Sequence, residues 1–210
     1  MSIISRIRET IAAHDLPEWL DEFPWLTGYL GDPQFPVWFV GENPSRAAVE
    51  RIDRREPAKT ENLQWNCHDG DQLLRESLTE AGLKTGNPSA NSGWRCYLTN
   101  VVKAPEIVGD RNARKTAASM REEARIWLPV LQNEIDSGKP LVLVAIGGQS
   151  HKLLIYMREL GLKTPAITRI DHYSYVMSRP DRKAGLGPRA PARIAYFKAS
   201  ILEIARRYGQ

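Results

Sequence analysis

Apolar residues fall along the chain in two kinds of pattern. Four short runs, residues 37–40, 96–102, 141–146 and 165–170, are each followed by a cluster of Gly, Asn, Pro or Ser. They read as strands, and the first three lack polar alternation, so both of their faces are expected to be covered. Between them the spacing turns helical. Leu73, Leu74, Leu78 and Ala81 share one face before Gly82, a stop signal. Residues 114–134 place Ala117, Met120, Ala124, Trp127, Leu128 and Leu131 at helical intervals, with Pro129 a candidate kink. Ser150 opens a helix through Leu153, Leu154, Met157 and Leu160 that Gly161 ends, and residues 195–207 form a closing amphipathic helix. Ile4, Ile7 and Ile11 give the N-terminal segment, residues 1–30, a helical character. Strands alternating with helices predict an α/β fold: three layers, α/β/α, around a mostly parallel, four-stranded central sheet.

Size and composition narrow the class. With 210 residues, 42% of them hydrophobic and 26% charged, the chain fits one ordinary domain with a true core, residues 1–210, rather than a disordered or membrane-embedded chain. The longest strongly apolar run, residues 141–146, is too short to cross a bilayer, and residues 1–20 lack a continuous apolar stretch. The expectation is a cytoplasmic monomer without a membrane partner. Two cysteines, Cys67 and Cys96, exclude a disulfide scaffold and a four-cysteine metal site, and leave at most one bridge. The net charge of +4 is unevenly spread. From Arg169 onward nine basic residues face three acidic ones, a net +6, while the first 168 residues carry −2. A basic final fifth on a near-neutral body points to a polyanion.

In parallel sheets covered on both sides, ligands bind beyond the carboxyl ends of the strands. Four polar clusters are expected there: Gly41-Glu42-Asn43-Pro44-Ser45, Thr99-Asn100 leading into Lys103, Gly147-Gly148-Gln149-Ser150, and His172-Tyr173-Ser174. Each has a plain reading when taken singly. Gly147-Gly148 is either a phosphate cradle or a tight strand-to-helix turn. Asn43-Pro44 also initiates turns, and a histidine near an apolar strand is often a satisfied buried one. Cys67-His68-Asp69 has no second cluster to complete a metal site, so no metal is expected. Neither a Walker loop, a Gly-x-Gly-x-x-Gly fingerprint nor a Gly-x-Ser-x-Gly elbow occurs.

Together, and in this order, the clusters resemble the uracil-DNA glycosylase superfamily, over residues 37–208. Residues 41–45 are similar to its first motif, Gly-x-Asn/Asp-Pro-Gly/Tyr; residues 97–103 to its second-strand segment; residues 141–150 to the strand and turn that follow; residues 172–174 to its His-Pro-Ser motif. The resemblance implies a DNA partner and a monofunctional glycosylase. Such an enzyme flips out a pyrimidine and hydrolyses its N-glycosidic bond, leaving an abasic site. Under that resemblance Asn43 orients the attacking water, His172 stabilises the departing base, and Asn100 reads the base edge. Trp65 is the candidate stacking face, although a core or surface tryptophan fits equally. Lys103, Ser45, Ser150 and Ser174 become candidate phosphate contacts. Residues 175–193 become a basic, DNA-facing loop. In it Tyr175, Val176 or Met177 fills the vacated stack while Arg179, Arg182, Lys183 and Arg189 hold phosphates; a solvated basic loop is the plainer alternative.

Three departures from the family pattern shape the expectation. Tyr173 replaces the proline of His-Pro-Ser, so the backbone there is less fixed. The four cysteines that hold an iron–sulfur cluster in some branches are missing, so no cluster and no other cofactor is expected. Ser45 stands where uracil-specific members carry a tyrosine that blocks the C5 substituent of thymine. A small residue there implies tolerance for C5-modified pyrimidines, including the hypermodified cytosines of phage DNA that some bacterial members attack in antiviral defence. Two other classes stay open: a DNA-binding module without catalysis, and a hydrolase of free nucleosides.

Overall fold

The computed structural model describes residues 3–13, 30–44, 69–90, 92–103 and 116–209. Among them the first helix, α1 (Ile3–Ala13), precedes a two-residue strand, β1 (Leu30–Gly31). There follow β2 (Val37–Gly41), α2 (Asp69–Glu80), β3 (Tyr97–Asn100), α3 (Ala117–Gly138), β4 (Val142–Ile146) and α4 (Gly147–Glu159). The chain closes with β5 (Ala166–Ile170), α5 (Tyr173–Ser178) and α6 (Pro191–Tyr208).

The sheet has five strands in the order β1-β3-β2-β4-β5, not four. The four expected strands pair in parallel, and β1 adds an antiparallel edge on β3 through Leu30↔Leu98 and Gly31↔Tyr97. Two residues are too few to show a period, which is why β1 is invisible as a pattern. Every residue of β2, β3 and β4 is buried, as unbroken apolar runs require of doubly covered parallel strands.

Alternation along each strand divides the core in two. Trp38, Val40, Tyr97, Leu143 and Ala145 face one way, onto α1, α3 and α4. Val37, Phe39, Leu98, Val142 and Val144 face the other, onto α2, α5 and α6. This is the three-layer α/β/α arrangement.

The helix boundaries shift from their sequence expectations for local reasons. α3 continues past Pro129 and starts at a reciprocal cap, in which the Thr116 hydroxyl accepts from the Ser119 N–H and the Ser119 hydroxyl accepts from the Thr116 N–H. α4 starts at Gly147, directly on the end of β4, rather than at Ser150. The segment 175–193 is not one loop. Its beginning belongs to α5 and its end to α6, and between them Asp181 and Leu186 exchange backbone hydrogen bonds. No helix among the described residues is long and apolar enough to cross a membrane.

Candidate active site

The carboxyl ends of β2, β3, β4 and β5 bring Asn43, Asn100, Gly147 and His172 to one rim, as the parallel register of these strands dictates. Two backbone bonds lock the first two exits together: the Val101 N–H donates to the Gly41 carbonyl at 3.0 Å, and the Val102 N–H donates to the Glu42 carbonyl at 2.9 Å. Asn43 is half-buried in the resulting turn. Asn100 is buried and lies against Gly41, its partner in the ladder. A Cβ on Gly41 would stand 2.2 Å from Asn100 Oδ1, so only glycine leaves the amide in place.

His172 caps α5. Its Nδ1 accepts from the Ser174 N–H at 3.2 Å and lies 2.7 Å from the Ser174 hydroxyl. With Nδ1 acting as acceptor, the proton of the neutral ring sits on Nε2. Gly147 packs behind the ring: its φ of +86° suits glycine, and a Cβ there would come within 3.0 Å of His172 Cβ. The imidazole is therefore held from both sides.

His172 opens onto a cavity of about 560 Å³ whose cationic lining includes Arg169, Arg179, Arg182, Lys183 and Arg193, against Asp171 and Asp181. Tyr175, 48% exposed, stands beside it with its ring centroid 5.3 Å from that of His172. The Arg179 guanidinium lies over the Tyr175 ring at 4.4 Å. Arg193 reaches back from α6 to the carbonyls of Arg179 and Tyr175, and so ties down the end of α5. Among the described residues no group of three or more His, Cys, Asp or Glu is arranged to hold a metal ion.

The family model of the Uracil DNA glycosylase superfamily matches residues 29–195, most of the chain. The chain belongs to that superfamily. Membership supports a DNA glycosylase type of function, acting on DNA. No curated protein matches the chain.

Several residues read from the sequence as site residues have other partners or lie away from this rim. Lys103 is fully buried and donates to Glu134 Oε2 at 2.5 Å and to Thr99 Oγ1 at 2.6 Å. Tyr97 and Thr99 donate to the other Glu134 oxygen, at 3.0 Å and 3.1 Å. Burial pushes the Lys103 ammonium below the ordinary lysine value, and the Glu134 carboxylate opposes the shift. Lys103 thus braces β3 against α3, its buried ammonium engaged by Glu134 and Thr99. Ser150 is likewise buried, donating to the Val40 carbonyl at 2.6 Å. Val176 is buried in the core and Met177 packs against it, which leaves Tyr175 as the exposed side chain of the three. Arg189 pairs with Asp69 at 2.5 Å, on the surface. The Ser174 hydroxyl lies against the histidine ring. Ser45, Trp65, Cys67 and His68 lie outside the described residues.

Five residues of the cavity are not marked as site residues by the sequence reading: Arg169, Asp171, Pro180, Asp181 and Arg193. Asp171 immediately precedes the histidine motif, and Arg169 points outward from a strand otherwise read as apolar. Both positions carried a readable signal.

Proposed function

We propose that this chain is a monofunctional DNA glycosylase, which turns a pyrimidine nucleotide out of DNA and hydrolyses its N-glycosidic bond to leave an abasic site. The observation that carries the reading is the His172 imidazole, oriented through Nδ1 by Ser174 at the mouth of a cationic cavity. Its Nε2–H donates to the pyrimidine O2 as the C1′–N1 bond breaks and the electron pair moves onto the base. A water oxygen forms the new bond to C1′, and its proton passes to solvent or to the departing base. Asn43 holds that water. An amide does not take the proton, so its part is placement. Asn100 reads the base edge, its amide both donating and accepting. Arg179, Arg182 and Lys183 hold phosphates, and Tyr175 fills the vacated place in the stack.

Substrate breadth rests on Ser45, which leaves room beside C5, so that uracil and C5-modified pyrimidines both enter. Trp65 supplies the stacking face. Action on uracil serves repair; action on hypermodified cytosine serves defence against phage DNA. The testing variant is Asn43→Ala, scored for product formation and for DNA affinity in parallel. The reading requires product formation to fall while affinity holds. Unchanged product formation removes Asn43 from the mechanism, and DNA binding by the native chain with no product on any base leaves a binding module.

A further inference from the structure

The sheet edge beside the proposed active site is open. β5 is the last strand in the order, and no described strand pairs with its outer side. Unlike β2, β3 and β4, it is largely accessible, with Ala166 and Arg169 exposed. A groove of about 400 Å³ runs between this edge and α6. On α6 its wall is one stripe, Tyr196, Ser200, Glu203 and Arg207, recurring every three or four residues. Tyr196 and Arg207 are eleven positions apart, so the wall is about 16 Å long.

We infer that this groove seats a single strand of DNA that continues from the cationic cavity at His172, an inference that rests on the DNA-directed reading above. Three observations support that occupant. Arg169 lines both the cavity and the groove, so one guanidinium joins them. The groove offers an aromatic face in Tyr196, which is 67% exposed, more than any other large apolar side chain among the described residues; Tyr208, half-buried against the core, lines the far end. In the cavity Arg179 lies over the Tyr175 ring at 4.4 Å, and at the far end of the groove Arg207 lies over the Tyr208 ring at 5.1 Å. Rings stack on bases and guanidinium groups meet phosphates, which is how proteins track an unpaired strand. A duplex keeps its bases stacked on one another and presents no faces to these rings. The open β5 edge also has the form that accepts an added peptide strand, but the arginines and exposed rings favour a nucleic acid. Glu203 is the opposing charge in the groove, and it supplies a test in the direction of gain.

The experiment measures fluorescence anisotropy of the full chain with a labelled thymine-only single strand and with the same strand in a blunt duplex. Tyr196→Ala and Arg207→Glu should each weaken single-strand binding roughly five- to tenfold, since stacking and phosphate contacts each act locally. Glu203→Gln should tighten it, and duplex affinity should stay within about twofold in all three. All three side chains are exposed, so folding is not at stake. Native-like single-strand binding in every variant overturns the groove while leaving the DNA-directed reading intact. Failure of the native chain to bind either probe overturns both. Self-association that changes in these variants while DNA binding does not would make the edge a seat for a second copy, and overturns the proposal.

Discussion

Asn100 Oδ1 occupies the space that a Cβ on Gly41 would need: the two would stand 2.2 Å apart. The pair sits in register between β3 and β2, and the turn that carries Asn43 begins one residue later. A methyl group at position 41 therefore displaces the Asn100 amide or pries the strands apart. Gly41→Ala should destabilise the fold by about 1–3 kcal/mol, the usual cost of overpacking. It should also depress base excision beyond what the loss of folded protein explains. Urea unfolding and single-turnover excision on the same preparation separate the two effects.

The Lys103–Glu134 pair predicts stability rather than DNA affinity. Lys103→Met leaves a buried carboxylate without its cation and should cost about 3–5 kcal/mol. Adding Glu134→Leu removes the stranded charge and should recover much of that loss. The doubly substituted chain should bind DNA as the native one does, because neither side chain reaches the surface. A large loss of affinity in a stable double variant would return Lys103 to the phosphate-contact role.

Acid should weaken the fold through His151. Partial burial lowers its pKa, and the neighbouring Arg169 and Arg158 lower it further. The folded protein thus prefers neutral imidazole, while the unfolded chain takes up the proton near the ordinary value of about 6.5. Above that pH the site is neutral in both states and its stabilising share is intact. As pH falls from about 6.5 through the lower folded value, stability is lost. Denaturant melts between about pH 7.5 and 5.5 should show this loss, and His151→Gln should reduce the slope.

Position 45 sets breadth in the proposed mechanism. Ser45→Tyr should lower excision of a C5-substituted pyrimidine relative to uracil, as a steric block does when it acts on one substrate and spares the other. Competition between uracil and hydroxymethyluracil in one reaction gives the ratio directly. An unchanged ratio refutes the part given to Ser45.

The fold was legible where chemistry repeats. Unbroken apolar runs marked β2, β3 and β4 because parallel strands covered on both faces have no polar side to show. The superfamily was legible in four short motifs placed at strand ends. What stayed hidden depended on distant partners or on very short elements. Lys103 reads as a surface cation because its partner Glu134 lies 31 positions away on α3. Val176 reads as an exposed wedge until α5 turns it inward. The signal for that turn was present: Tyr173, Val176 and Met177 recur at helical spacing and all pack on one core. The cationic cavity is only half legible in the sequence, where its arginines show as charge but not as the wall around His172.

Alkali-revealed abasic sites, scored for the native chain and for His172→Ala on uracil, hydroxymethyluracil, hydroxymethylcytosine and glucosylated hydroxymethylcytosine in DNA, test the central claim most directly. The account predicts abasic sites with the native chain on uracil or on a C5-modified pyrimidine. Removing the Nε2 donor should cut the rate roughly 10²–10³-fold, the usual effect of losing one donor to a developing anion. Full activity in His172→Ala, or no abasic site on any base from a native chain that binds DNA, would contradict it.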